Sequence, residues 1–315
     1  MKKIIMILFI FVGISTLVLN SNITAYAEKS INNTNPKPTN FNIAVAADWG
    51  CNEDAKRTSE NIQANHPEVV IAAGDLSYKG QGDCWENIIL PFESKLKIAM
   101  GDHEYSDTKG GKTGVVNEYL NPLGLTKTYY SFDKNNAHIL VTDPYLDYKP
   151  GSSQYQFIEN DLKTASTNPN IDWTLVVEPI PMYTSPSKHP ANSTIRDIYH
   201  PLFDKYGVDL VFSGDNHNYQ RTFPLKYNTG GTNPETVDKG SSNYNSDEGV
   251  IYLISGTAGR SHYAIKQQSP FVAKQDDKNF GFLNIDISDK TLKGSFIING
   301  QGSVIDQFTI SKTKA

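Results

Sequence analysis

Four short apolar runs in this 315-residue chain each stop on a turn that carries an aspartate, and that pattern restricts the fold more than any bulk property. Residues 41–47 run into Asp48-Trp49-Gly50, and 69–73 into Gly74-Asp75-Leu76-Ser77-Tyr78. Residues 96–100 run into Gly101-Asp102-His103-Glu104, and 208–212 into Ser213-Gly214-Asp215-Asn216-His217. The runs have strand length and leave no polar face for water, as expected of strands buried on both sides. Further runs at 137–142 and 173–177 fit the same reading, with helix-like patterns at 54–65, 154–165 and 194–206 between the strands. The last of these places Ile195, Ile198, Leu202 and Phe203 on one face. After about residue 249 the pattern is strand-rich, at 250–254, 280–285, 292–298 and 304–310. An α/β portion followed by antiparallel strands predicts two packed sheets flanked by helices. The Asn-, Gly-, Ser- and Thr-rich stretch 226–248 predicts a long surface loop.

A Gly-Asp pair after one strand is an ordinary turn. Four such endings in succession, two of them carrying histidine, point to more, because the carboxyl ends of strands in an α/β sheet converge on one crevice. Asp48, Asp75 and Asp102 recur every 27 residues, one strand–helix unit per step. Carboxylates gathered in a partly buried crevice repel one another, and a bound cation relieves that cost. Metal binding is the reading this pattern supports.

The N-terminus bears on the compartment. Lys2 and Lys3 precede an apolar run at 4–19, and a polar stretch then ends in Ala25-Tyr26-Ala27, a small-x-small cleavage pattern. The run is short for a membrane span, so residues 1–27 are expected to be a cleaved signal peptide, 28–40 a disordered lead-in and 41–315 one folded domain, secreted and without stable membrane insertion. Cleavage removes two lysines and no acid from a chain with 29 basic and 34 acidic residues. The mature protein is therefore more acidic than the formal charge of −5, which disfavours nucleic acid as a partner. Cys51 and Cys84 are expected to pair in an oxidising compartment.

In order and spacing, the four Asp-bearing segments resemble those of the calcineurin-like metallophosphoesterases, and within these the purple acid phosphatase branch, from about residue 41 to the C-terminus. Asp48-x-Gly50, and Tyr78 three residues after Asp75, select that branch. The resemblance implies a four-layer α/β/β/α sandwich of two mixed sheets. It makes Asp48, Tyr78 and His217 terminal ligands of a first metal, with Asp75 bridging to a second. Phenolate and carboxylate are hard anionic donors that suit Fe(III). His103 matches the histidine that binds the phosphate or protonates the leaving group. Asn218, Tyr219 and Arg221 continue the last motif as relatives often have it.

The second position departs from the family. Asp102 stands where Asn is expected, Asp215 where His is expected, and Pro179 where another His is expected. Its remaining donors, Asp75, Asp102 and Asp215, are all carboxylates. Of the divalent ions that could serve (Mn, Mg, Ca or Zn), such a set leans to Mg, Ca or Mn. Glu178 adjoins Pro179, but successive strand residues face opposite sides. His189 is open to two readings, a solvated loop histidine or a substrate contact. His66, His138, His200 and His262 have no motif around them and read as structural, and Arg196 as a salt-bridge residue. Three functions follow: a phosphoesterase acting on a small phosphorylated substrate, a pseudo-phosphatase that keeps one iron site, or a structural protein stapled by metal.

Overall fold

The computed structural model describes residues 40–312 apart from 110, 111, 230, 232, 240, 241 and 301. The expected signal peptide and all but the last residue of the lead-in lie outside the described residues. Two seven-stranded sheets pack face to face. In chain order their strands are β1 (Phe41–Ala46), β2 (Val69–Ala73), β3 (Leu96–Ala99), β4 (Tyr130–Lys134), β5 (Ala137–Val141), β6 (Trp173–Val177) and β7 (Leu210–Ser213). They continue with β8 (Tyr219–Thr222), β9 (Asn243–Asn245), β10 (Ile251–Ser255), β11 (Val272–Asp276), β12 (Gly281–Ser288), β13 (Thr291–Ile298) and β14 (Val304–Ser311). One sheet has the order β9-β14-β13-β12-β1-β2-β3, the other β11-β8-β10-β7-β6-β5-β4. Both are mixed: β1, β2 and β3 run parallel, as do β5, β6, β7 and β10, while β12, β13 and β14 are antiparallel neighbours.

Side-chain alternation along single strands builds the layers. In β1, Ile43 and Val45 enter the core between the sheets, whereas Ala44 and Ala46 join the outer cluster beneath α1 (Glu53–Ala64) and α2 (Gly82–Ile89). In β6, Trp173, Leu175 and Val177 point inward, and Val176 packs with Ile158 and Leu162 of α3 (Ser153–Thr167) and Ile195 and Phe203 of α4 (Ser193–Tyr206). The order of layers is therefore helix, sheet, sheet, helix. The three predicted helices lie within two residues of their expected positions, each opened by a cap: Asn52, Ser152 and Asn192 accept from the N–H three residues on. Cys51 and Cys84 are bonded and tie the entry of α1 to α2.

Two differences from the sequence reading have physical causes. The stretch 226–248 is not all loop. It forms a short ladder, Leu225–Lys226 with Glu235–Thr236, and then the edge strand β9, parallel to β14. Tyr244 drives that docking: its ring is buried and its hydroxyl accepts from Arg221 Nη1 at 3.0 Å. Strand β8 was invisible because its residues, Tyr-Gln-Arg-Thr, are polar yet fully interior. Each polar group there is satisfied. Arg221 forms a two-pronged pair with Asp306 at 2.7 and 2.9 Å, and Gln220 donates to Thr184 and Asn218.

Candidate metal centre

The parallel strands of both sheets end on the same side, and their turns interlock. The Asp48 N–H donates to the Gly74 carbonyl and Trp49 N–H to the Asp75 carbonyl, at 3.2 and 3.0 Å. Asp48, Asp75 and Asp215 all adopt the left-handed backbone region, at φ of 61°, 49° and 64°. Aspartate tolerates this region better than most residues, but three strained carboxylates on neighbouring turns are a mark of function. Glycine fills the positions where a side chain would collide with them. A Cβ on Gly256 would stand 2.6 Å from Asp48 Oδ2, and one on Gly101 would overlap Asp75 Oδ1.

Four predicted ligands of the first site come together. Tyr78 Oη is 3.3 Å from Asp48 Oδ1, 3.2 Å from Asp75 Oδ2 and 3.2 Å from His217 Nε2. His217 Nε2 is 3.3 Å from Asp48 Oδ1. A six-coordinate ion with bonds near 2.1 Å has ligand–ligand edges of about 3 Å, so the spacing matches one coordination sphere. His217 Nδ1–H donates to the Ser261 carbonyl at 2.8 Å, which leaves Nε2 as the lone-pair nitrogen facing the acids. Asp48 Oδ2 is buried with no hydrogen-bond partner in the protein, an orphan acceptor of the kind a cation satisfies. Without an ion the cluster is frustrated. Burial first, then the charges of Asp48, Glu104, Asp102 and Asp215, pushes the Asp75 pKa well up. Burial, Asp48 and Asp75 do the same to Tyr78, so its phenol ionises only beside a cation. The donor set fits a hard metal ion.

The second position is looser. Asp75, Asp102 and His103 bring ligand atoms within 4.8 Å of one another. Asp215, expected as a ligand there, is not within 4.8 Å of that grouping, which His103 joins at the rim. Its turn leaves the carboxyl close enough to be felt but not convergent: burial and the charges of Asp48 and Asp102 raise its pKa to about 7. Asp102 is half exposed. Pro179 sits at the site, its Cβ against Gly74 and its carbonyl accepting from Gly214 N–H at 3.0 Å, but it brings no donor atom. Glu178 faces away, held by Thr142 at 2.6 Å and by the Ile180 N–H at 3.3 Å.

His103 Nδ1 hydrogen-bonds to Asp107 Oδ1 at 2.9 Å, and its ring lies 4.1 Å from that of Tyr78. His189 is half-buried beside Tyr263, and its charge environment includes Asp102 and Asp48, which places it at the crevice. Of the other histidines, His138 bridges Asp133 and Asp161, both at 2.7 Å, and His200 meets Tyr183 at 2.8 Å. Arg196 pairs with Asp197.

Sequence reasoning missed two supports. Glu104 is fully buried and accepts from the N–H groups of Asp75, Leu76 and Gly101 at 3.1, 2.9 and 2.7 Å. It therefore clamps the Asp75 turn to the Asp102 turn, and burial raises its pKa to about 8. The other is the segment after β10, Gly256-Thr257-Ala258-Gly259-Arg260-Ser261. It supplies the Ser261 carbonyl, and Arg260 N–H donates to the Asp48 carbonyl at 2.8 Å. A run of small residues directly after a buried strand was the available signal.

Comparison with known proteins agrees with this geometry. Residues 41–219 match the family model of calcineurin-like phosphoesterases, and 249–307 match that of the iron/zinc purple acid phosphatase-like C-terminal region. Among curated proteins, the chain is 30% identical over 205 residues to probable purple acid phosphatase 20 of Arabidopsis thaliana, covering 60% of this chain and 48% of that one. It is 28% identical over 271 residues to probable inactive purple acid phosphatase 24 of the same plant, covering 78% and 43%. It thus spans about half the length of these curated relatives. The solved purple acid phosphatase PPD1 of yellow lupin superposes with a TM-score of 0.73 at 22% identity, covering 88% of this chain and 55% of that one. The chain belongs to the calcineurin-like phosphoesterase family, with a purple acid phosphatase-like C-terminal region.

Proposed function

We propose that the protein is a secreted, metal-dependent phosphoesterase that hydrolyses a small phosphorylated substrate. The observation that carries this reading is the convergence of Tyr78, Asp48, Asp75 and His217 on one point. Those residues would hold Fe(III), and Asp75 and Asp102 would offer a second place to a divalent ion. Bound metal would supply Lewis-acid polarisation of the phosphoryl oxygens and activation of the attacking water. The chain's own residues do the rest. Asp107 holds Nδ1 of His103, so a proton on Nε2 is free to pass to the leaving oxygen. Glu104 keeps the Asp75 and Asp102 turns in register, and His189 borders the crevice where a phosphate would enter. The pattern of residues 1–27 and the Cys51–Cys84 bond support secretion.

One observation favours a second reading. Pro179 occupies the crevice without a donor, and Asp215 stands off the second grouping. On that basis the protein would retain one iron and bind a ligand without turnover. Hydrolysis of an aryl phosphate by the metal-loaded protein between pH 4 and 8 separates the two. Turnover in the wild type supports the enzyme. An inert wild type made active by the combined Asp102→Asn, Pro179→His and Asp215→His changes would establish the pseudo-phosphatase.

A further inference from the structure

We propose that Arg260 is an anion-holding residue of this site, with Lys188 as a second cation beside the metal cluster. The proposal rests on the reading that the cluster takes metal ions and a phosphoryl group. The chain has four arginines. Three are ion-paired: Arg57 with Asp54, Arg196 with Asp197 and Arg221 with Asp306. Among the described residues, no carboxylate or other acceptor engages the guanidinium of Arg260, although the acids of the site are close by. Its backbone is fixed, because its N–H donates to the carbonyl of Asp48 at 2.8 Å. The guanidinium carbon lies 4.4 Å from the ring centroid of Tyr78, the phenol that faces Asp48, Asp75 and His217. A half-buried guanidinium with no protein acceptor, lying over the ring of the cluster's phenol, suits a phosphate oxygen pair, which it can grip with two parallel bonds.

Lys188 mirrors it. Its ammonium donates to Tyr263 Oη at 2.7 Å and lies 4.2 Å from that ring's centroid. Tyr263 in turn stacks on His217 at 3.8 Å. The loop bearing Lys188 is pinned to the site, since Asn216 accepts from His189 N–H and Asn218 donates to Ser187 Oγ, both at 3.0 Å. One cation thus approaches the cluster over Tyr78 and the other over the ring that covers His217. The acids of the crevice repel an anion, and these two cations offset part of that charge, Lys188 acting on Asp215.

The test is inorganic phosphate binding by isothermal titration to the metal-loaded full chain, with metal content and melting temperature measured alongside. Arg260→Ala should weaken phosphate binding roughly 10–100-fold, the range expected for losing hydrogen bonds to a charged group. Arg260→Lys should recover part of that loss, and Lys188→Ala should weaken binding several-fold, with metal content and melting temperature unchanged in all three. Phosphate affinity of Arg260→Ala within twofold of wild type would overturn the proposal. So would loss of metal from that variant, which would make Arg260 a support for Tyr78, and so would a metal-loaded wild type that takes up no phosphate at millimolar concentration. An Arg260-dependent phosphate site in a protein that hydrolyses no aryl phosphate would sustain this inference while removing the catalytic one.

Discussion

Replacing Glu178 by glutamine probes the electrostatics beneath the second metal position. The carboxyl is wholly buried, and burial raises its pKa to about 8. Hydrogen-bond counting leads to the same conclusion. Thr142 Oγ1 lies 3.1 Å from the Val177 carbonyl and 2.6 Å from Glu178 Oε2, yet a threonine has one hydroxyl proton. A neutral Glu178 resolves this by donating to Thr142, whose own proton goes to Val177, while Oε1 accepts from the Ile180 N–H. An acid whose pKa is raised on folding binds its proton more tightly in the fold. Its contribution is full below the unfolded value of 4.5 and is lost as pH rises toward about 8. The slope is about 1.4 kcal/mol per pH unit, so the wild type gives up about 3 kcal/mol between pH 4.5 and 7. Glutamine keeps the shape, a donor for Thr142 and an acceptor for Ile180, and does not titrate. Glu178→Gln should therefore equal the wild type in urea unfolding at pH 4.5 and exceed it by about 3 kcal/mol at pH 7. Equal pH slopes for the two proteins would refute the reasoning. Loss of bound metal by the variant would also refute it, by showing that Glu178 is ionised and replaces the ligand missing at Pro179.

Three further outcomes follow from the geometry. Gly256→Ala puts a methyl group 2.6 Å from Asp48 Oδ2 and closer still to the Asn216 carbonyl, so the variant should lose metal by elemental analysis and melt earlier than the wild type. His103→Ala should lower kcat by about 10²–10⁴-fold at fixed metal content, the usual share of a general acid, and Asp107→Asn, which only loosens its orientation, should cost less. Exchanging Cys51 and Cys84 for serine together opens a loop spanning 33 residues and should remove about 3–4 kcal/mol of stability in urea unfolding.

The buried parallel strands were legible because their residues are apolar on both faces, and β2 and β6 occupy the expected residues. The acids that follow them were legible because the carboxyl ends of parallel strands converge on the crevice, although Glu178, directly after β6, turns away from it. Strand β8 was hidden because its interior is bought with polar pairs from distant residues, Asp306 and Thr184, which sequence proximity does not reveal. Asp215 shows the limit of position-by-position transfer. It arrives at the expected turn, but whether its carboxyl joins Asp75 and Asp102 depends on side-chain direction, which sequence position does not specify. Glu104 was visible in its motif but its role was not, since a clamp between two turns appears only once both turns are in place.

The measurement that tests the central claim most directly is elemental analysis and a visible absorption spectrum of the purified protein, wild type beside Tyr78→Phe. Three donors arranged around Tyr78 Oη, itself the fourth, call for iron in the wild type and a tyrosinate-to-iron charge-transfer band that vanishes in the variant. A wild type supplied with iron that binds none, or a band that survives the loss of the Tyr78 hydroxyl, would contradict the first metal site and the function built on it.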